Sequence, residues 1–175
     1  MTEAGSVAVR PTARDDCRHL PAIEQSAAQA FRGDPALAWL ADEAPISGEH
    51  HAELLDRGIG LVAVDGSGRL CGFVASERHG ADLHVVELSV HADWQRRGIG
   101  RMLLSALAEE ARGEGIAQLT LTTFRDLAWN GPFYRSSGFN ELAEGAHCAR
   151  LASLLAAEAE HGLPRGRRCA MVRPL

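Results

Sequence analysis

Apolar positions along this chain recur with two different periods, and the switches between them mark its elements. "SVAVRP" (6–11) alternates with period two and ends at a proline, so it reads as a first strand. In the following "TARDDCRHLPAIEQSAAQAF", Leu20, Ile23, Ala27 and Phe31 fall at helical spacing. Asp15 is positioned as the cap, and Pro21 is confined to the first turn. Residues 33–58 are short helical pieces broken by Pro35, Pro45 and Gly48. "GLVAVD" (60–65) and "RLCGFVASER" (69–78) flank "GSG" and predict a hairpin. "DLHVVELSV" (82–90) is a third, β-branched strand. From about 98 to 115 the period returns to 3.6, with Ile99, Leu103, Ala106, Leu107 and Ala111 on one face and Gly113 or Gly115 as the stop. A strand (117–123), a loop with a short helix (129–139), a long helix (147–163) with Leu151, Leu154, Leu155 and Ala159 on its face, and a closing strand (167–175) complete the pattern.

The order β-α-α-β-β-β-α-β-α-α-β predicts a mixed α/β fold, with hairpins first and a strand–helix–strand unit in the middle. At 175 residues, 46% of them apolar and 23% charged, residues 1–175 are expected to form one domain with a sizeable core. The formal charge of −5 argues against nucleic acid as a partner, so an anionic ligand needs a local basic patch. The first fourteen residues carry Glu3 and Arg10 and lack the apolar centre of a signal peptide, and no stretch is long and apolar enough for a membrane span. Cys17, Cys71, Cys148 and Cys169 are far apart and form no C-x-x-C pair. They are expected to be buried or half-buried thiols in a reducing cytoplasm, with no metal.

"WQRRGIGRMLL" (94–104) concentrates two glycines and three arginines between a buried strand and a helix. A helix start has backbone N–H groups without intrahelical partners and carries the positive end of the dipole. Gly98 and Gly100 allow a bulky anion to approach that backbone, and the arginines add charge, which together describe a phosphate cradle. A Walker A string is absent. The dinucleotide fingerprint G-x-G-x-x-G fails because Leu103 stands at its third glycine. Gln95 to Gly100 reads instead as Q-x-x-G-x-G.

That motif, following "ELSVHADW", resembles the acetyl-CoA signature of the GNAT superfamily of N-acetyltransferases. "WNGPFYRSSGF" is similar to the family's second block, with Asn130, Tyr134, Gly138 and Phe139 in register. The first 75 residues match only as a pattern of elements. The resemblance implies a mixed, mostly antiparallel central sheet, splayed at the motif strand and flanked by helices. It implies acetyl-CoA as co-substrate, with its pyrophosphate at the Gln95, Arg96, Arg97, Gly98, Ile99, Gly100 and Arg101 turn. The pantetheine arm then pairs with the backbone of Leu88, Ser89 and Val90 in the gap before 117–123, where a strand amide can also polarise the thioester carbonyl.

Transfer to an amine needs a base, because a lysine-like ammonium has a pKa near 10 and freeing its lone pair at pH 7 costs about 4 kcal/mol. Glu87, a carboxylate among Val85, Val86 and Leu88, is the first candidate. Alternation puts it on the face of Val85 and Ser89, and the alternative is a solvated strand residue. His84, on the opposite face, is the reserve. By resemblance Tyr134, the one tyrosine, is the acid toward the thiolate; packing against Phe133 and Phe139 is its alternative role. Asn130 resembles the family's side-chain contact to pantetheine, or else caps the helix before Pro132.

Other features have plainer readings. His50 and His51 read as a solvated helix face, and Trp39, Trp94 and Trp129 as packing. Arg165, Arg167 and Arg168 read as a strand start rather than a 3′-phosphate site. Family members often join their last two strands tightly, whereas residues 140–166 here insert a helix, whose apolar face packs on the core or across a homodimer. Asp34, Asp42, Glu43, Glu49 and Glu53 hint at a cationic acceptor. The expected activity is acetyl transfer to a primary amine of a small molecule. A protein or peptide acceptor and a non-catalytic acyl-CoA-binding module are the alternatives, and a Rossmann oxidoreductase is the distant one.

Overall fold

The computed structural model describes residues 6–175; of the N-terminal segment weighed above, residues 1–5, Glu3 included, lie outside it. Seven strands form one sheet in the order β1-β2-β3-β4-β5-β7-β6. They are β1 (Ala8–Pro11), β2 (Gly60–Val64), β3 (Leu70–His79), β4 (Asp82–Val90), β5 (Gln118–Phe124), β6 (Asn140–Glu141) and β7 (Arg168–Pro174). Every pairing is antiparallel except β4 with β5. The β2–β3 turn forms because the Asp65 carboxylate accepts from the backbone N–H groups of Ser67 and Arg69 at 2.8 and 3.0 Å.

Among the described residues five α-helices accompany the sheet: α1 (Leu20–Ala28), α2 (Gly48–Arg57), α3 (Ile99–Gly113), α4 (Gly131–Ser136) and α5 (Ala149–Glu160). Two apolar layers result. Ile99, Leu103, Leu107 and Ala111 of α3 pack with Leu83, Val85, Leu119 and Met171 from one face of the sheet. Leu20 and Ile23 of α1 and Leu54 of α2 pack with Val62, Phe73 and Ala75 from the other.

Three sequence expectations change locally. The helix expected over 12–31 is a 3-10 turn (Arg14–His19), then α1, then a second 3-10 turn (Gln29–Gly33), with Pro21 in the first turn of α1. Asp15 does not cap it. Asp16 does the work, accepting from the Ala13 N–H at 2.7 Å while Arg10 donates to both its oxygens at 2.7 and 3.1 Å. The strand β6, only two residues long, was invisible to periodicity; it precedes the inserted helix, which runs Ala149–Glu160 and buries Leu151.

The feature that shapes the site is a bulge in β4. Ala75 pairs with Glu87 and Ser76 with Val85, leaving Val86 without an opposite residue. Strict alternation predicts Val85 and Glu87 on one face. The extra residue breaks it: Val85, Leu88 and Val90 pack into the α3 layer, whereas Val86 packs into the α1–α2 layer. Glu87 keeps Ser89 as its neighbour but loses Val85, which is how a bulge re-aims a side chain beside a site.

Candidate active site

β4 and β5 pair only through Asp82–Gln118, Leu83–Leu119 and His84–Thr120. Beyond that point the strands part, and a cleft of about 830 Å³ opens between them. The β5-facing edge of β4 from Val85 onward is therefore not paired with β5, and Leu88, Ser89 and Val90 line the opening. Backbone groups on such an edge need partners, and an extended polar arm can supply them.

Gln95, Arg96, Gly98, Ile99, Gly100 and Arg101 line the same cleft at the start of α3. Gly98 is the N-cap residue with φ 82°, and the first intrahelical bond closes when Met102 N–H donates to its carbonyl at 3.0 Å. The N–H groups of the first turn of α3 have no intrahelical partners, and a side chain at Gly98 would be strained. Arg96 is the one non-glycine residue with positive φ, 62°, among those described. Gln95 Nε2 donates to Val90 O at 3.0 Å and ties the turn to β4.

The three arginines are not equivalent. Arg96 faces the cleft; Arg101 lines it while donating to Ser136 O and Oγ at 3.2 and 3.1 Å; Arg97 lies over the Trp94 ring at 4.8 Å and is not part of the lining. Gly100 also serves packing, since a Cβ there would meet Phe133 Cζ at 3.2 Å. The residues present thus suit a diphosphate joined to an extended amide-bearing arm, which is the chemistry of coenzyme A.

At the inner end of the cleft stand Glu87 and Tyr134. Ser89 Oγ donates to Glu87 Oε1 at 2.6 Å. Desolvation, and then the charge of Glu24, push the Glu87 carboxyl up to about 7. Burial and then the negative charge of Glu87 raise the Tyr134 phenol further, so it stays protonated. The ring also packs edge-on against Phe133 and Phe139, at 5.1 and 5.6 Å between centroids, so the packing expected of this residue is present while it still lines the cleft. Asn130 precedes α4, but its side chain makes no cap bond. Its Oδ1 accepts from Thr123 Oγ1 at 2.8 Å, which leaves the amide nitrogen available on the cleft wall.

His84 is not in the cleft lining. It is buried with Nδ1 2.9 Å from Thr120 Oγ1, and desolvation followed by the charge of Arg150 lowers its pKa to about 3. His51 departs from its expected solvated place: its ring is buried edge-on against Phe73, whereas His50 is exposed. Cys148 is exposed, unlike the other three cysteines. Most of the acidic residues expected to greet a cation are already paired: Asp34 with Arg167, Asp42 with Arg32, Glu43 with His161 and Glu53 with His50. Glu43 alone of that group lines the cleft.

Two contributors were not legible. Glu24 of α1 lines the cleft, and so does the ion pair of Arg168, at the start of β7, with Glu158 of α5; Arg168 Nε donates to Glu158 Oε2 at 2.9 Å. Each comes from a segment with no motif. Glu24 and Glu158 lie on helices read only for their apolar faces, and Arg168 was read as a strand start. Among the described residues no group of three or more His, Cys, Asp or Glu side chains is placed to hold a metal ion, and no helix is long and apolar enough to cross a membrane.

Known proteins agree with this geometry. Residues 56–141 match the model of the acetyltransferase (GNAT) domain. The ribosomal protein bS18-alanine N-acetyltransferases of Salmonella typhimurium and Escherichia coli are 34% and 32% identical over 73 and 75 residues, or 42% and 43% of this chain. The match spans about half the length of each relative, 49% and 51%. In fold, the PaiA N-acetyltransferase of Thermoplasma acidophilum in complex with coenzyme A superposes with a TM-score of 0.70 at 15% identity, covering 97% of this chain and 99% of its own. A ribosomal-protein-alanine N-acetyltransferase from Brucella melitensis gives 0.65 at 20% identity, covering 96% and 99%. The glycine turn and the parted strands fall within residues 56–141, and this stretch of the chain carries the match to the GNAT acetyltransferase domain.

Proposed function

We propose that residues 1–175 act as one domain that moves an acetyl group from acetyl-CoA to a primary amine by direct transfer. The observation that carries this reading is the parting of β4 and β5 beside a left-handed glycine at the start of α3, with Glu87 and Tyr134 facing the same cleft. The turn from Gln95 to Arg101 receives the diphosphate, Leu88, Ser89 and Val90 pair with the extended arm, and Asn130 steadies it through its amide. Glu87 takes a proton from the ammonium. The freed nitrogen pair forms the C–N bond, and the C–S bond breaks. Tyr134 gives its phenolic proton to the departing sulfur, and the proton shed by the new amide nitrogen restores the phenol. Glu87 then releases one proton to water, so one amide, one thiol and one proton leave per cycle.

A small amine and a protein N-terminus both fit as acceptor. The names of the curated relatives, which act on an alanine of a ribosomal protein, favour the second. Thiol release from acetyl-CoA, followed across amino acids, polyamines, aminoglycosides and short peptides, tests both. Turnover with at least one amine is expected. Tight coenzyme A binding with no turnover for any of them supports a non-catalytic binding module, and failure to bind it refutes the reading outright.

A further inference from the structure

Glu24 is the one acidic residue of α1, and its carboxylate is fixed from two sides. The Ile46 N–H donates to its two oxygens at 3.3 and 3.2 Å. Behind it stands His51 of α2, whose Nε2 is 3.7 Å from Glu24 Oε2. The His51 side chain is only 1% exposed, and neither of its ring nitrogens has a hydrogen-bond partner. A buried imidazole without a partner is costly. This one is aimed at the rear of a carboxylate whose front opens on the cleft. No arginine lies within ion-pair distance of Glu24 among the described residues.

Glu87 on β4 lines the same cleft, α1 packs against β4, and the charge of Glu24 helps to raise the Glu87 carboxyl. The other groups facing Glu87 are Ser89 on its own strand, Tyr134 on α4, and Arg168 on β7, whose guanidinium is already held by Glu158 of α5. Glu24 and Glu87 thus face an arginine already committed to a third carboxylate, Glu158, with His51 behind Glu24. An ammonium between Glu24 and Glu87 offsets their like charge and offers an N–H to each.

We propose that Glu24 is the acceptor-binding carboxylate, forming with Glu87 a clamp that admits the amine in its ammonium form. The inference rests on the acetyl-transfer reading and sharpens its substrate class to amines that are cationic at neutral pH, whether an alkylamine or a peptide N-terminus. Glu24 holds the ammonium, and Glu87 deprotonates it. Arylamines, neutral at pH 7, gain nothing from the clamp.

The test uses protein carrying 13C-carboxyl glutamate, loaded with coenzyme A, with propylammonium chloride as probe. In the unaltered protein propylammonium shifts two carboxyl resonances, those of Glu24 and Glu87. In Glu24→Gln, which retains an oxygen for the Ile46 N–H, its affinity falls about tenfold and the Glu87 midpoint moves down in pH. Glu24→Asp, a second variant in case the first folds poorly, keeps the charge and gives an intermediate loss. With the best alkylamine of the panel, Glu24→Gln raises the amine KM while the acetyl-CoA KM is unchanged. Unchanged propylammonium affinity, or an unmoved Glu87 midpoint, overturns the clamp. An absence of thiol release from every amine by the unaltered protein, with the resonances still shifting, refutes the transferase reading instead.

Discussion

The base role proposed for Glu87 needs a high proton affinity at neutral pH, and the surroundings of the carboxyl raise it by desolvation first and by Glu24 second. A carboxyl that titrates near 7 has a definite consequence for rate. Turnover is low when it is protonated and rises with pH through about 7, which a pH profile of kcat/KM reads directly. Glu87→Gln is expected to lower kcat by about 10²-fold or more, and Tyr134→Phe by about 10²-fold, with coenzyme A affinity retained. The same residue tilts stability. Its raised pKa favours the folded state fully below pH 4.5, and that contribution is lost as pH rises through about 7. Denaturant melts of Glu87→Gln across this window should show a flatter pH dependence than those of the parent. Glu87 was legible as a candidate because a carboxylate stands out in an apolar strand, and Tyr134 because it sits in a motif of fixed spacing; both line the cleft. Glu24 was not legible, because its importance comes from packing α1 over β4, which no local pattern encodes. His51 was misread for the same reason: helical periodicity put it beside exposed His50, but α2 turns that position toward Phe73.

At the level of elements, the amphipathic signals of β2, β3, β4, α3 and β5 survived with ends shifted by a residue or two, because each buries a continuous apolar face. The bulge in β4 was hidden, since one extra residue leaves composition untouched while turning Glu87 away from Val85. The turn into α3 depends on Gly98 holding φ 82°. Gly98→Val should cost about 1–2 kcal/mol in a urea melt and weaken coenzyme A binding besides, whereas a purely structural glycine costs stability alone. The inserted α5 is anchored by Glu158, which meets Arg168 in a pair whose side chains are 14% and 12% exposed. Glu158→Ala leaves a largely buried guanidinium without its partner, a change worth about 3 kcal/mol. Replacing both residues by Met and Leu should cost less than the single change, because it strands no charge.

For the molecule as a whole, charge is arranged locally rather than globally. The chain is net negative by five, yet the α3 turn presents arginines to the cleft. Every one of the 18 basic residues is arginine, so the protein offers no lysine amine as an internal acceptor, and peptide assays carry no background from its own side chains. Saturating coenzyme A at about 100 times its Kd should stabilise the fold by about 2.7 kcal/mol, visible as a rise of several degrees in Tm. The claim on which the account turns is where that ligand lies: in the gap left by β4 and β5, with its diphosphate on the α3 turn. Amide hydrogen exchange with and without coenzyme A addresses it most directly. The prediction is slowed exchange concentrated in residues 85–101, with a lesser effect around Asn130 to Tyr134. Unchanged rates there, or protection confined to another part of the sheet, contradict it.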